Sequence, residues 1–76
     1  MTELEFKAFL TVITADLIKY IMQKDGLKIA EVGQVLYTSH LYELLEKEET
    51  KVWNYSTPVL YRLLKEELET GSIMFP

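Results

Sequence analysis

LKIAEVGQVLYTSHLYELL, residues 27–45, is the stretch on which the fold turns. At about 100° per residue, Ile29, Val32, Val35 and Leu36 share one stripe of a helix, while Glu31 and Gln34 face away. Gly33 sits inside that helix at a cost of about 1 kcal/mol relative to Ala. It either marks the close approach of another helix beside the small Ala30 or is merely tolerated. The chain then hinges near Thr38-Ser39. The Ser39 hydroxyl can accept a hydrogen bond from an otherwise unpaired N–H and so cap a second helix. In that helix Leu41, Leu44 and Leu45, with Tyr42 at the edge, form the apolar arc, and His40, Glu43, Glu46 and Lys47 form the opposite face.

A short helix, a tight break and a second amphipathic helix is also the outline of a helix-turn-helix DNA reader. Such a reader needs Lys or Arg to meet phosphate. From Leu27 to Thr50 the chain holds five Glu against two Lys, so the surface repels phosphate.

Seventy-six residues make one small helical domain, 1–76. A chain of this size buries only about 60% of its unfolded surface. With no Cys there is neither a disulfide nor a thiolate metal site to stabilise it. The apolar fraction, 49%, is generous for the length. Either the core is dense, or some apolar surface meets a partner or a second copy. A net charge of −4 disfavours nucleic acid and anionic membranes. No basic region precedes an apolar run at the start, so a signal peptide is not expected. Lys7, Asp16 and Lys19 interrupt the apolar stretch Leu4–Met22, whereas a membrane span of ~20 residues should be nearly free of charge. The expected compartment is the cytoplasm.

Outward from the central hairpin, Thr2 and Glu5 form a capping box, and a first helix should run from about 3 to 24, with Gly26 as its left-handed terminator. Its main apolar stripe is Phe6, Phe9, Leu10, Ile13, Leu17, Tyr20 and Ile21. A second, thinner stripe holds Leu4, Ile18 and Met22, with Thr11 among them. An amphipathic helix needs two stripes only if it is wrapped by the rest of the chain or shared with another chain. The reading leans to the shared surface.

Thr50–Ser56 has no clear helical period, and Trp53 and Tyr55 are expected to fold back onto the core, although Trp is also a common interface anchor. Thr57-Pro58 should start the last helix, Thr as cap and Pro at the first position. Gly71 stops it. Val59, Leu60, Leu63, Leu64 and Leu68 form its arc, with Arg62–Glu66 and Lys65–Glu69 paired on the wet side. Glu67 falls inside the apolar arc without an evident reason. The tail Ser72–Pro76, with Ile73, Met74 and Phe75, lacks polar cover and is expected to dock.

The inventory for chemistry is thin. His40 is the single histidine, and its sequence neighbour Ser39 would not face it on a helix. His40 and Glu43 could hold a metal on one edge only, and two ligands make a poor site. None of the three glycines lies in a phosphate-binding loop, and the carboxylates from Glu43 to Glu49 lack the spacing of a calcium loop. No catalytic residue, cofactor or metal is expected, and the chain does not read as an enzyme.

A long apolar first helix, then Lys28, Glu31, Val32 and Leu36 in a K-x-x-E-V-x-x-x-L pattern, then Tyr42 and Leu45 as Y-x-x-L, resembles a group of uncharacterised short all-helical bacterial proteins. Some of these are encoded in toxin–antitoxin-type neighbourhoods. The resemblance covers about half the chain and carries over no functional residue. In the C-terminal half WNYSTPVLY, residues 53–61, departs from the Tyr-x-x-Leu-His-Thr-like segment of that group.

The expected fold is all-α, a compact bundle of four helices at about 3–24, 28–37, 40–49 and 58–70. The leading functional expectation is a small protein–protein interaction module, the regulatory or antitoxin-like member of a pair, whose partner is another protein or a second copy of the chain. Its candidate surface is Leu4, Ile18, Met22, Trp53, Ile73, Met74 and Phe75. The alternative is a helix-turn-helix transcription regulator using Ser39–Glu49.

Overall fold

Thr2 starts the first helix, α1 (Glu3–Asp25). Its hydroxyl accepts the Glu5 N–H at 3.1 Å, and the Glu5 carboxylate accepts the Thr2 N–H at 2.9 Å. Two donors with no intrahelical partner are thereby satisfied together. The bond from the Thr2 N–H is the main cause that holds the Glu5 carboxyl below the usual carboxylate range. At the far end Gly26 takes φ 68°, and its N–H closes on the Met22 carbonyl at 2.9 Å. A residue with a Cβ would be strained there.

The computed structural model describes residues 1–73. At about 1.5 Å per residue, the 23 residues of α1 span the 35 Å long axis of the molecule. The remaining helices are shorter: α2 (Ile29–Tyr37), α3 (His40–Leu45) and α4 (Thr57–Thr70). Among the described residues there is no strand, and the architecture is the expected all-α bundle of four helices with a long first one. α2 and α4 pack on α1, and α3 bridges α2 and α4.

The core is built from every helix. Leu17 and Ile21 of α1 meet Val32 and Leu36 of α2, Leu41 and Leu45 of α3, and Leu60, Leu63 and Leu64 of α4, with Val52 from the connection. Most of these side chains are wholly buried. Burying one Leu side chain contributes about 1.5–3 kcal/mol, so ten such residues dominate the stability of so small a chain.

Two expectations about the helix bounds are corrected, and the two readings of Gly33 are separated. α3 ends at Leu45 rather than near residue 49. The next four residues, Glu46–Glu49, are all charged and offer nothing to bury. The Thr50 hydroxyl turns back to donate to the Leu44 and Lys47 carbonyls at 2.7 and 2.8 Å, satisfying the acceptors at the helix end. The chain continues through two 3₁₀ turns, Glu48–Thr50 and Val52–Asn54, joined by Lys51 at φ 57°. α4 begins one residue earlier than expected, because Ser56 takes the extended cap position and Thr57 is already helical. Gly33 is not a crossing point: a Cβ there would meet only the Tyr37 ring at 3.8 Å, an ordinary contact within the same helix.

Individual side chains also depart from their stripes. Ile29, at the first turn of α2, is 64% exposed, and Leu68 in the last turn of α4 is 56% exposed. Both lie at helix ends that run past the core. Lys65 pairs not with Glu69 but with Asp25 at the end of α1, at 3.3 Å. Arg62 does approach Glu66, at 3.9 Å.

Candidate functional site

Of the seven residues expected to form an interaction surface, Leu4, Ile18 and Met22 share one face of α1, and Trp53 packs against another. Leu4 stands on the outer face of α1 and is 79% exposed. Ile18 and Met22 lie on the same face but are half-buried, each already packed against the core. The second stripe is thus divided: its C-terminal half is partly covered within the chain, and its N-terminal half is open. Trp53 sits elsewhere. Its indole packs edge-on to Phe6 and Phe9 at ring separations of 6.1 and 5.7 Å, and its Nε1–H donates to the Glu48 carbonyl at 2.9 Å. A Trp with its ring packed and its N–H satisfied ties the 3₁₀ segment to α1. Ile73 packs on the core, so the tail docks on its own chain at least that far. Met74 and Phe75 lie outside the described residues.

Between Leu4 and Ile18 the outer face of α1 carries the small residues Ala8, Thr11 and Ala15, all exposed, with Val12 58% exposed beside them. Neither alanine is large enough to register as an apolar stripe in the sequence. Their spacing from Leu4 and Ile18 was the available signal.

One edge of this face is a groove. Leu10, Thr14 and Ile18 of α1 form its floor, Lys7 stands at its end, and Tyr37 and Tyr42 form its far wall. The open volume is about 450 Å³, within the range of roughly 300–1,000 Å³ typical of binding clefts. The two tyrosine rings meet edge to face at 4.8 Å and brace each other. Burial, and then the neighbouring Glu46 carboxylate, push the Tyr42 hydroxyl above its ordinary pKa. Thr14 is buried, yet its hydroxyl has no partner in hydrogen-bonding geometry, although the Tyr42 phenol is near enough to influence it. A Thr hydroxyl within a helix ordinarily turns back to a carbonyl of the preceding turn, as Thr11 does to Lys7 at 2.9 Å.

On another side of α1, Asp25 accepts the Tyr61 hydroxyl at 2.6 Å and the Lys65 ammonium at 3.3 Å. The Tyr61 bond is the first cause that lowers the Asp25 carboxyl and raises the Tyr61 phenol. Lys24 and Lys65 lie over the faces of Tyr20 and Tyr61, which themselves meet edge-on at 5.2 Å. This cluster joins the end of α1 to α4 and is satisfied internally.

His40 Nδ1 lies 3.4 Å from Glu43 on an exposed face. Among the described residues no three His, Cys, Asp or Glu side chains converge on a point where a metal could sit. No helix among them is long and apolar enough to cross a membrane. Comparison with protein-family models, with curated proteins and with solved structures finds no match for this chain.

Proposed function

We propose that this chain is a protein-interaction module that receives a helix along the outer face of α1, acting as the regulatory member of a pair in the manner of an antitoxin-like protein. One observation carries the reading. The longest helix of the molecule presents Leu4, Ala8, Thr11, Val12 and Ala15 to solvent beside a groove walled by two tyrosines. Apolar surface in a row along one helix is the form an incoming amphipathic helix recognises.

The alternative, DNA reading by the α2–α3 hairpin, meets two obstacles. α3 is only six residues long. The N–H groups at its start, which would face a phosphate, are already taken by the Glu67 carboxylate at 2.8 Å. Random duplex DNA at low salt separates the readings: binding that weakens steeply with added salt would favour the DNA reader.

The direct test is photo-crosslinking in the producing cells, with a photoreactive amino acid at Val12 or Ala15 and a control at Glu69 on α4. A protein adduct from the first two positions and none from Glu69 is the expected result. Labelling of no protein from α1 would sink the proposal.

A further inference from the structure

Along α1, Leu4, Ala8, Thr11, Ala15, Ile18 and Met22 follow one another at intervals of four, three, four, three and four. This is the period of about 3.5 that keeps one seam of a helix facing a second helix over its whole length. The bundle makes little use of that seam: the buried residues of α1, Phe6, Thr14, Leu17 and Ile21, lie off it. The first four seam residues are exposed and the last two half-buried.

The seam carries large side chains at both ends and small ones between, so it can be read against itself. Laid antiparallel on a second copy with Thr11 opposite Ala15, Leu4 meets Met22 and Ala8 meets Ile18, and the two-fold repeats each pairing. Ala8 faces the larger Ile18, Leu4 faces Met22, and the central layer sets Thr11 on Ala15, so no layer leaves two alanines facing each other. A parallel pairing would set Ala8 on Ala8 and Ala15 on Ala15. The flank away from the groove agrees with the antiparallel order. In that register Glu5 of each copy lies beside Lys19 of the other, and Val12 meets its own counterpart at the two-fold axis. In a parallel dimer Lys19 would lie across from Thr14, with no charge match.

We infer that the outer seam of α1 is an isologous antiparallel interface for a second copy of this chain. The inference rests on the reading of this face as an interaction surface and names its occupant. Thr14 adds a separate observation. It is the flank position nearest the axis on the groove side, and its buried hydroxyl has no partner in hydrogen-bonding geometry within the chain, although the Tyr42 phenol is near enough to influence it. Such a group is costly to leave unpaired.

The chain has no cysteine, so single-cysteine variants report one pair at a time. Val12→Cys should be joined into a covalent dimer by a short bis-maleimide. Lys19→Cys alone should not, because the two copies of residue 19 are about 21 Å apart along an antiparallel pair. Mixed with Glu5→Cys it should crosslink efficiently. In sedimentation the wild type should be a dimer at high micromolar concentration. Lys19→Glu should weaken that dimer about tenfold, by setting carboxylate against carboxylate twice. Adding Glu5→Gln should restore most of the loss, since the amide oxygen still serves the capping box. All three positions are exposed, and an unchanged helical circular dichroism signal establishes that the variants fold. A wild type that stays monomeric, or a Lys19→Cys chain that crosslinks to itself while Val12→Cys does not, overturns the inference. If the photo-adduct at Val12 is then a different protein, the interaction reading survives without the second copy. If there is no adduct at all, both fall.

Discussion

Glu67, near the end of α4, caps α3 through His40: its carboxylate accepts the His40 N–H and, with its other oxygen, the Leu41 N–H, both at 2.8 Å. The Ser39 hydroxyl takes the Tyr42 N–H at 3.1 Å, and the Ser39 carbonyl takes the Glu43 N–H at 3.4 Å. All four donors at the start of α3 are therefore satisfied. A helix of six residues is too short to persist by itself. A negative charge at its N-terminus, where the helix dipole favours one, fixes it against α4. This explains a glutamate set within an apolar arc.

Glu67→Ala should accordingly destabilise the fold by about 1–2 kcal/mol in urea titration, the usual cost of a lost cap with a charged acceptor. Glu67→Gln should lose part of this, because an amide has one acceptor oxygen and would turn a donor toward the second N–H. Faster amide exchange at His40 and Leu41 should accompany both. A loss under a few tenths of a kcal/mol would mean that water replaces the carboxylate without cost.

Asp25 gives the acid limb of stability a definite sign. The Tyr61 hydroxyl, and after it Lys65, hold its carboxyl below the ordinary Asp value. A lowered folded pKa contributes stability that is present above the unfolded value of about 4 and is lost as pH falls through the folded one. Asp25→Asn should therefore be less stable than wild type at neutral pH, with the difference closing below about pH 4. Tyr61→Phe should move the Asp25 titration, followed by NMR, up toward the ordinary value. An unmoved titration would assign the shift to Lys65 instead.

Gly33→Ala should raise stability by about 0.5–1 kcal/mol. The new methyl meets only the Tyr37 ring, at an ordinary distance, so the gain in helix propensity is not offset by a clash. A lower melting temperature for this variant would restore the idea of a close helix crossing.

Lys51 sits at φ 57° between the two 3₁₀ turns, a left-handed conformation that its Cβ resists. Lys51→Gly should stabilise the fold by about 0.5–1 kcal/mol, the relief of strain exceeding the added freedom of the unfolded chain. Lys51→Ala, which keeps the Cβ, is the control and should show no such gain.

Thr14→Val replaces the unpartnered buried hydroxyl with a methyl of nearly the same shape. For the monomer, measured at low micromolar concentration, a gain of about 1 kcal/mol is expected, since a buried group unsatisfied within the chain is removed. A loss of similar size would show that the hydroxyl is bonded to the Tyr42 phenol after all.

What the sequence determined by itself lies within single turns of chain. The Thr2–Glu5 capping box, the left-handed glycines at 26 and 71, the Ser39 cap and the apolar period of each helix depend on residues three or four apart. Those spacings are fixed by helix geometry, so the four helices and the core leucines could be read from them. Only tertiary structure decided which surfaces meet. Glu67 reaches a helix start 27 residues away, and Lys65 turns from its neighbour Glu69 to an aspartate 40 residues away. Period alone also left open how much of the second stripe the other helices cover. They cover Ile18 and Met22 in part and leave Leu4 and the alanines bare, because they pack on the face of α1 that holds Phe6, Thr14, Leu17 and Ile21. The angles and offsets at which helices cross are set by the packing of many side chains at once, and no local spacing encodes them.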